Sequence, residues 1–253
     1  MIHGIEVVLD AVQFDYKEMR MMFDVRFAAG KVTAVMGPSG CGKSTLLNLI
    51  AGFEQPLSGR VLLGGADLTS AGPAERPVSM VFQENNLFAH LDVAANVGLG
   101  RSPALRLSAD DKSAVLEALE RVGLGGKGRR LPRELSGGER QRVALARVLV
   151  RDRPALLLDE PFGSLGPALR DEMLDLLFAL HREQGMTILF VTHQPEDAHK
   201  IADAVVFLEN GTIAAKGDAR EFFGEHAPDA FRRYLGDDAP TSLQLRRNAR
   251  KPT

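Results

Sequence analysis

Apolar and polar residues alternate along the N-terminal part of the chain with the period of two that is typical of half-buried strands. Two such strands are predicted between Ile5 and Phe27. Their apolar positions are Val12, Phe14 and Tyr16 in the first strand and Met21, Phe23, Val25 and Phe27 in the second. A further strand is expected over Arg60 to Leu63, because the turn-forming pair Gly64-Gly65 follows it. These patterns predict an antiparallel sheet in the N-terminal region.

Later in the chain, short and continuously apolar runs indicate strands that are buried on both faces. They cover Lys31 to Met36, Pro77 to Phe82, Ala155 to Leu158 and Met186 to Val191. Helical patterns lie between them, over Thr45 to Ile50 and over Pro167 to Arg182, with Leu169, Met173, Leu176 and Leu180 on one face of the latter. Strands that alternate with helices predict a parallel sheet whose ligand site lies at the carboxyl ends of the strands.

Two further patterns complete the predicted α/β architecture. Val205 to Leu208 and Thr212 to Ala215 flank Glu209-Asn210-Gly211, which is a hairpin signal. Between about residues 87 and 152 strand patterns are missing, and this stretch is predicted to be an inserted all-helical subdomain. One of its helices is expected after Ser108, which forms a capping box with Asp111, and a second is expected to begin near Ser136.

Composition limits the function classes only moderately. The chain has 253 residues, a formal net charge of −2 and a pI near 6.3, so its global charge gives no reason to expect nucleic acid binding. Its single cysteine, Cys41, cannot form an internal disulfide, which fits a reducing compartment. No apolar run approaches membrane-spanning length.

The most specific motif is a glycine-rich loop between a buried strand and a helix, which is the context that a phosphate-binding loop requires. It consists of Gly37, Pro38, Ser39, Gly40, Cys41, Gly42, Lys43, Ser44 and Thr45. The glycines allow backbone N–H groups to point at phosphate oxygens at a helix N-terminus, which also favours an anion. Lys43 is then expected on the β and γ phosphates, and the Ser44 hydroxyl is expected to ligate Mg²⁺. The motif therefore predicts a site for ATP and Mg²⁺.

Polar residues that follow other predicted strands are expected to lie at the same sheet edge. Asp159 would hold Mg²⁺, and Glu160 would orient and polarise the attacking water. His193 follows Ile188 to Thr192 and is a candidate to hydrogen-bond the γ phosphate or the water. Gln83 also follows a short strand, and its amide is expected to reach both Mg²⁺ and the water. Alone, each of these residues would more commonly be a polar turn or surface residue, and the phosphate loop reverses that expectation.

A second motif, Leu135-Ser136-Gly137-Gly138-Glu139-Arg140-Gln141, lies in the predicted helical insertion. Small residues ahead of a helix form a second anion-binding N-terminus. If the insertion is remote from the phosphate loop of its own chain, two-fold pairing would place this motif against the nucleotide of a partner chain. The alternative is a glycine-containing helix cap, which explains the two glycines but not the residues around them.

These motifs, in this order and spacing, resemble the ATP-binding subunits of ABC transporters over about residues 1 to 235. The resemblance implies an α/β fold with a P-loop, RecA-like ATPase core, an N-terminal antiparallel β subdomain and an inserted α-helical subdomain. It identifies Gly37 to Thr45 as the Walker A loop, Gln83 as the Q-loop glutamine, Asp159 and Glu160 as Walker B, and His193 as the switch histidine. Ser136, Gly137 and Gly138 become the signature that meets the partner's nucleotide. Tyr16 matches the aromatic position under the adenine, with core packing as its alternative.

Within the family, the stretch from Arg76 to Gly100 is similar to the subunits that energise thiamine import in Gram-negative bacteria. That similarity implies thiamine as cargo, with its phosphate esters as further candidates. Alternatives are another small solute, such as an oxyanion or a polyamine, or a non-transport ATPase of DNA repair or translation.

The expected partners are a second copy of the chain, a membrane permease that docks near Gln83 to Leu91, and indirectly a periplasmic binding protein, but no nucleic acid. Leu87 and Phe88 are the expected apolar contacts of the permease, with core packing as their alternative. The expected location is the cytoplasmic face of the inner membrane, with the permease holding the subunit. The segment 236–253 is expected to be a flexible basic tail.

One position departs from the family pattern. The D-loop of the family usually reads Ser-Ala-Leu-Asp, whereas this chain has Gly163-Ser164-Leu165-Gly166 before Pro167. Gly166 therefore removes a carboxylate that would contact the partner chain. We expect hydrolysis to persist but to be slower or less tightly coupled to closure of the dimer.

Overall fold

The computed structural model describes residues 3–17, 19–82, 86–225 and 227–236. Its strands, numbered in chain order, are β1 Val7–Tyr16, β2 Met19–Phe27, β3 Val32–Met36, β4 Ser58–Leu63, β5 Ala66–Asp67, β6 Val78–Val81, β7 Ala155–Asp159, β8 Thr187–Val191, β9 Ala204–Glu209 and β10 Thr212–Asp218. Its helices are α1 Lys43–Ala51, α2 Val93–Gly98, α3 Ala109–Arg121, α4 Gly137–Arg151, α5 Pro167–Gln184, α6 Pro195–Ile201, α7 Ala219–Phe222 and α8 Asp229–Leu235, with a 3₁₀ turn at Pro132–Glu134.

These elements form two compact units, which are named after the motifs they contain. The phosphate-loop unit comprises residues 5–76 and 187–236, and the signature unit comprises residues 77–186 together with residues 3 and 4. The predictions for Gln83 and for the basic tail beyond Gly236 concern residues outside the described ranges. No helix in the described ranges is both long enough and apolar enough to cross a membrane.

The phosphate-loop unit contains eight strands in the order β5-β4-β1-β2-β10-β9-β3-β8. Strands β1, β2, β4 and β5 pair antiparallel, as the alternating sequence predicts. The alternation buries Met21, Phe23, Val25 and Phe27 on one face of β2. The first strand is interrupted by a bulge at Ala11, which has a φ of 49°. The predicted antiparallel N-terminal sheet is therefore confirmed, although β1 buries mainly its first half and leaves Tyr16 exposed.

The parallel part of this sheet has β3 at its centre, with β8 on one side and β9 on the other. All five residues of β3 and of β8 are buried, which explains their continuously apolar sequences. Strands β9 and β10 form the predicted hairpin, with Asn210 and Gly211 both at positive φ, as a two-residue turn of this hand requires. Because β3 and β8 run in the same direction, the residues that follow them emerge at one sheet edge.

The short helices α6, α7 and α8 were not predicted from the sequence. Their apolar residues close a core against β3 and β9, in which Phe207, Phe222 and Phe231 are buried and meet edge to face. Below α1, the guanidinium of Arg76 is fully buried and donates to the carbonyls of Leu49, Ile50, Thr69 and Ala71. It thereby caps the C-terminal carbonyls of α1, the helix that follows the phosphate loop.

In the signature unit, β6 and β7 pair in parallel, and helices α2, α3 and α4 pack on one another. The structure confirms the predicted helical stretch and the capping box of Ser108 with Asp111. The predicted face of α5 needs correction. The buried residues are Met173, Leu174, Leu177 and Leu180, whereas Leu169 and Leu176 are only half-buried.

Candidate functional site

The phosphate loop starts at the carboxyl end of β3 and turns directly into α1. Gly37 has a φ of 147°, and a Cβ at this position would overlap the carbonyl oxygen of Leu208 on β9. Glycine is therefore required for the chain to leave the sheet here. Gly42, at a φ of 105°, forms the N-cap of α1 in a left-handed conformation. The loop has the strand, turn and helix geometry that the sequence predicted.

The ammonium group of Lys43 is enclosed by this loop. It is 7% exposed, and its Nζ donates to the carbonyls of Gly37 and Pro38, at 2.8 Å each. The Sγ of Cys41 lies 4.0 Å from the same Nζ, and burial raises the pKa of the Cys41 thiol despite the nearby positive charge. Cys41 is therefore a small, neutral side chain that fills the inside of the loop.

The start of α1 has the chemistry of an anion site. The helix has no acidic residue in its first turn and no side chain that caps its first N–H groups. A phosphate can therefore accept those hydrogen bonds and interact with the positive end of the helix dipole. The hydroxyl of Ser44 is on an exposed residue in the same turn. The phosphate loop and the first turn of α1 therefore fit the phosphates of a nucleoside triphosphate.

His193 emerges beside the phosphate loop at the predicted sheet edge. Val191, the last residue of β8, is paired with Val35 of β3, and His193 follows two positions later on the surface. The hydroxyl of Tyr234 donates to the main-chain carbonyl of His193 at 3.4 Å, which fixes the backbone there. His193 and the phosphate loop therefore follow the ends of two adjacent strands, β8 and β3, of the same unit.

Tyr16 ends β1 in the same unit and is 50% exposed. The Nζ of Lys17 lies 5.6 Å from the centre of its ring. Exposure excludes the core-packing alternative for Tyr16, and an exposed ring is free to offer stacking area to an adenine.

Asp159 is the last residue of β7 in the signature unit and Glu160 follows it directly, and both are partly buried. Glu160 has a φ of 44°, a left-handed conformation that is uncommon for a residue other than glycine. Its carbonyl accepts from the N–H of Gly163 at 3.3 Å, which closes a turn. The carboxylate of Glu160 is thus presented from a sharp turn rather than from a continuing strand.

The signature motif forms the N-terminus of α4. Ser136 is the N-cap: its hydroxyl accepts from the N–H of Glu139 at 3.2 Å, and its own N–H donates to the Glu139 carboxylate at 2.7 Å. Lys127 donates to that carboxylate as well. The bond from Lys127 is the main cause that lowers the pKa of Glu139 to about 2, and hydrogen bonds from the main-chain N–H and the hydroxyl of Ser136 add to it. Ser136 is an exposed residue, so its hydroxyl lies at the surface of the signature unit.

The two signature glycines have different surroundings. A Cβ on Gly138 would lie 2.6 Å from a methyl carbon of Leu169, so Gly138 lets α4 pack closely on α5. A Cβ on Gly137 would meet its nearest side-chain atoms only at 3.9 Å, and Gly137 is exposed. Packing within the unit therefore accounts for a glycine at position 138. At position 137, no atom of the described residues lies close enough to require one.

Three functional candidates in the signature unit were missed from the sequence. Asn96 and Arg147 fix the segment that contains Phe88, and Gln141 donates to the carbonyl of Pro161. A possible signal for Gln141 is that it is a polar residue four positions before buried Leu145 on the apolar side of α4. Phe88 itself is 49% exposed, which excludes core packing for it.

Within the described residues, no three His, Cys, Asp or Glu side chains are grouped closely enough to hold a metal ion by themselves. A cation at the phosphate loop would therefore depend on oxygen atoms of a bound nucleotide as well as on a hydroxyl and a carboxylate.

Comparison with known proteins gives a consistent result. The sequence profile described as "ABC transporter" matches residues 21–163. A thiamine import ATP-binding protein, ThiQ, of Mesorhizobium japonicum is 68% identical over 240 residues, which cover 95% of both chains. The ThiQ proteins of Chelativorans and of Brucella suis are 62% and 60% identical, each over 92% of this chain and 96% of its relative.

Two solved structures of one ATP-binding cassette have a similar fold, and both are dimers. The ATP-binding cassette MJ0796, in a post-hydrolysis dimer with ADP and phosphate, superimposes with a TM-score of 0.73 and 28% identity. A second dimeric structure of the same cassette gives a TM-score of 0.72. Each similarity covers 85% of this chain and 99% of the cassette.

Proposed function

The chain belongs to the ABC transporter family, and from that premise we propose that it is the ATP-hydrolysing subunit of an importer whose cargo is thiamine. The observation that carries the cargo assignment is the 68% identity to a thiamine import ATP-binding protein over 95% of both chains. The phosphate loop, the Walker B carboxylates, the signature and the switch histidine support the ATPase function independently of the cargo.

In this proposal the phosphate-loop unit binds the nucleotide. Lys43 exchanges its two loop carbonyls for the β and γ phosphate oxygens, which carry the negative charge that an ammonium group prefers. The first-turn N–H groups of α1 bind the same phosphates, and Tyr16 supplies a surface for the adenine ring. Ser44 and Asp159, together with Gln83, would hold Mg²⁺. When bound, that ion neutralises charge that develops on the phosphate oxygens.

Hydrolysis requires a water molecule in line with the γ phosphate. Glu160 is proposed to orient and polarise this water and to accept its proton. His193 is proposed to donate a hydrogen bond to the γ phosphate. This bond would stabilise the negative charge on the oxygens of the transferred phosphoryl group. Gln83 is proposed to sense the γ phosphate, since in the sequence it comes two positions after the end of β6. These residues together convert bound ATP to ADP and phosphate.

A second copy of the chain completes the site in this proposal. The signature N-terminus of α4, with exposed Ser136 and Gly137, offers a hydroxyl and backbone N–H groups to the nucleotide of the partner. The dimeric cassettes with TM-scores of 0.73 and 0.72 support this arrangement. Binding of ATP closes the dimer, and hydrolysis with release of phosphate reopens it.

The proposed partner in the membrane is a permease that contacts the segment between Gln83 and Leu91. Phe88 is the exposed apolar residue of that segment, and the ring of His90 packs against it edge to face at 6.0 Å. A periplasmic binding protein would deliver cargo to the permease. In this proposal the permease holds the ATPase at the cytoplasmic face of the inner membrane.

Reconstitution tests this function. The chain is co-purified with its permease and placed in liposomes with the cognate binding protein, and its ATPase rate is measured with and without thiamine. Thiamine should stimulate the rate severalfold, and Lys43→Ala should abolish it. Stimulation by thiamine phosphate esters would extend the cargo range. Stimulation by an oxyanion or a polyamine, without a response to thiamine, would replace the cargo assignment and leave the ATPase function standing.

A further inference from the structure

Gln141 is a buried polar residue that contacts the turn carrying the catalytic carboxylate. It lies on the first turns of α4, is 3% exposed, and its Nε2 donates to the carbonyl of Pro161. Pro161 directly follows Glu160 and is itself buried. The hydrogen bond therefore joins the helix that begins at the signature to the peptide unit next to Glu160.

The backbone at Glu160 requires such support. Its φ of 44° is left-handed, and a proline at the next position disfavours helical conformations of the residue before it. Pro161 has no N–H group, so its carbonyl is the one main-chain hydrogen-bonding group that this residue itself offers to a neighbour. Strained backbone of this kind persists only where the surrounding structure fixes it, and it occurs preferentially at active sites.

The oxygen atom of the Gln141 amide indicates that the N–H group is the functional part of this side chain. Its Oε1 is buried and has no hydrogen-bond partner among the described residues. An unsatisfied buried oxygen destabilises the fold, and an apolar side chain of similar size would avoid that cost. Within the described part of the chain, the one hydrogen bond that this buried amide makes is therefore the bond from its Nε2 to the carbonyl of Pro161.

We propose that Gln141 is a positioning residue for Glu160. By holding the Pro161 carbonyl, it keeps the turn from relaxing and so keeps the Glu160 carboxylate aimed at the attacking water. Because α4 starts at the signature, the same bond links the helix that meets the partner's nucleotide to the carboxylate that acts on the chain's own nucleotide. This inference rests on the proposed ATPase function.

Two substitutions separate positioning from simple packing. Gln141→Met has nearly the same shape but no N–H donor, and it also removes the unsatisfied oxygen. We expect its kcat for ATP to fall about 10-fold, which corresponds to about 1.4 kcal/mol of barrier. The Kd for ATP and the melting temperature should stay close to those of the wild type, because neither the phosphate loop nor the packed volume changes.

Gln141→Glu provides a pH signature that a packing role would not produce. Burial raises the pKa of the introduced carboxyl group, which can donate to Pro161 only while it is protonated. The ratio of its kcat to the wild-type kcat should therefore fall as pH rises from about 6 to about 9. For Gln141→Met the corresponding ratio should not change with pH. In a Glu160→Gln background, neither substitution should lower the residual rate further.

The outcomes distinguish the inference from the function it rests on. A wild-type chain that does not hydrolyse ATP would refute the proposed function. A wild-type chain that hydrolyses ATP, with Gln141→Met at an unchanged kcat, would refute the positioning role alone. Equal losses of kcat, ATP affinity and melting temperature in Gln141→Met, with a pH-independent ratio for Gln141→Glu, would assign Gln141 to packing and also overturn the inference.

Discussion

Arg147 on α4 donates to both oxygen atoms of Asn96, with its Nε 3.0 Å from the main-chain carbonyl and its Nη2 3.1 Å from the side-chain Oδ1. Asn96 is fully buried, and its amide in turn bonds the N–H and carbonyl of Phe88 and the carbonyl of Leu91. The helix that begins at the signature is thereby connected to the segment proposed to contact the permease. This connection leads to a prediction about coupling.

Arg147→Lys should uncouple the permease from the ATPase. A lysine keeps the positive charge but cannot make the forked pair of bonds to Asn96. We expect the basal ATPase rate of the isolated subunit to stay within about twofold of the wild type, while stimulation by permease and cargo is largely lost. Arg129→Lys, at an exposed position of the same unit, is the matched control and should stimulate normally. Equal stimulation of both variants would exclude a coupling role for Arg147.

Gly166→Asp tests the departure in the D-loop. Gly166 is the N-cap of α5, with a φ of −64°, no side-chain cap and no atom within 4 Å of the position of a Cβ. Aspartate therefore fits, and as an N-cap it should stabilise the helix by a few tenths of a kcal/mol at most. We expect ATP hydrolysis to become faster or more tightly dependent on permease. Gly166→Asn caps α5 equally without a charge and is the control. Unchanged hydrolysis and transport in Gly166→Asp would contradict the hypothesis.

Glu139→Gln tests the electrostatic support of the signature helix. Glutamine can preserve the capping box with Ser136 but loses the ion pair with Lys127. The folded pKa of Glu139 is about 2, below its ordinary value of 4.5, so ionisation stabilises the folded state.

The stability difference between the wild type and Glu139→Gln should therefore be fully present above the ordinary pKa. It should disappear as pH falls towards the folded pKa. Because the ion pair is partly exposed, we expect a difference on the order of 1 kcal/mol at neutral pH. Urea unfolding at neutral and at acidic pH measures it. A difference that persists at acidic pH would show that the ion pair is not its source.

Arg76→Lys should destabilise the phosphate-loop unit. The buried guanidinium of Arg76 bonds four main-chain carbonyls, and one ammonium group cannot satisfy them all. We expect a loss of about 2 to 4 kcal/mol in the free energy of unfolding, because buried carbonyls are left without donors. Arg60→Lys, at an exposed ion pair with Asp10, should leave the free energy of unfolding nearly unchanged. Similar values for both variants would contradict the capping role of Arg76.

Local sequence signals predicted much of the fold because their physical causes are local. The hairpin at Asn210-Gly211 requires two residues that tolerate positive φ, and the capping box at Ser108 spans only four residues. The face of α5 was predicted wrongly because the leucines of that helix allow two overlapping apolar stripes, and tertiary packing selects the one through Leu177. The short helices α6 to α8 have too few residues for a clear periodicity.

The candidate site was predictable where a motif has a fixed order, and not where a contact joins distant positions. Gly37 and Lys43 are recognisable because the loop between strand and helix is continuous. Gln141 and Arg147 act on main-chain carbonyls 20 and 51 residues away, and any residue type can supply a carbonyl. The roles assigned to Asp159, Glu160, His193 and Gln83 stay predictions, and Glu160→Gln tests the one given to Glu160.

The central claim is that ATP joins two copies of this chain into one composite site, and Glu160→Gln tests it most directly. This variant should bind ATP without turning it over, so the closed dimer should accumulate. The measurement is the solution mass of the purified variant with and without Mg·ATP, with Lys43→Ala in the same background as the control. We predict twice the 27.5 kDa mass of the chain with ATP only, and a monomer for the control. A mass that does not respond to ATP, together with near-normal turnover by Glu160→Gln, would contradict the account.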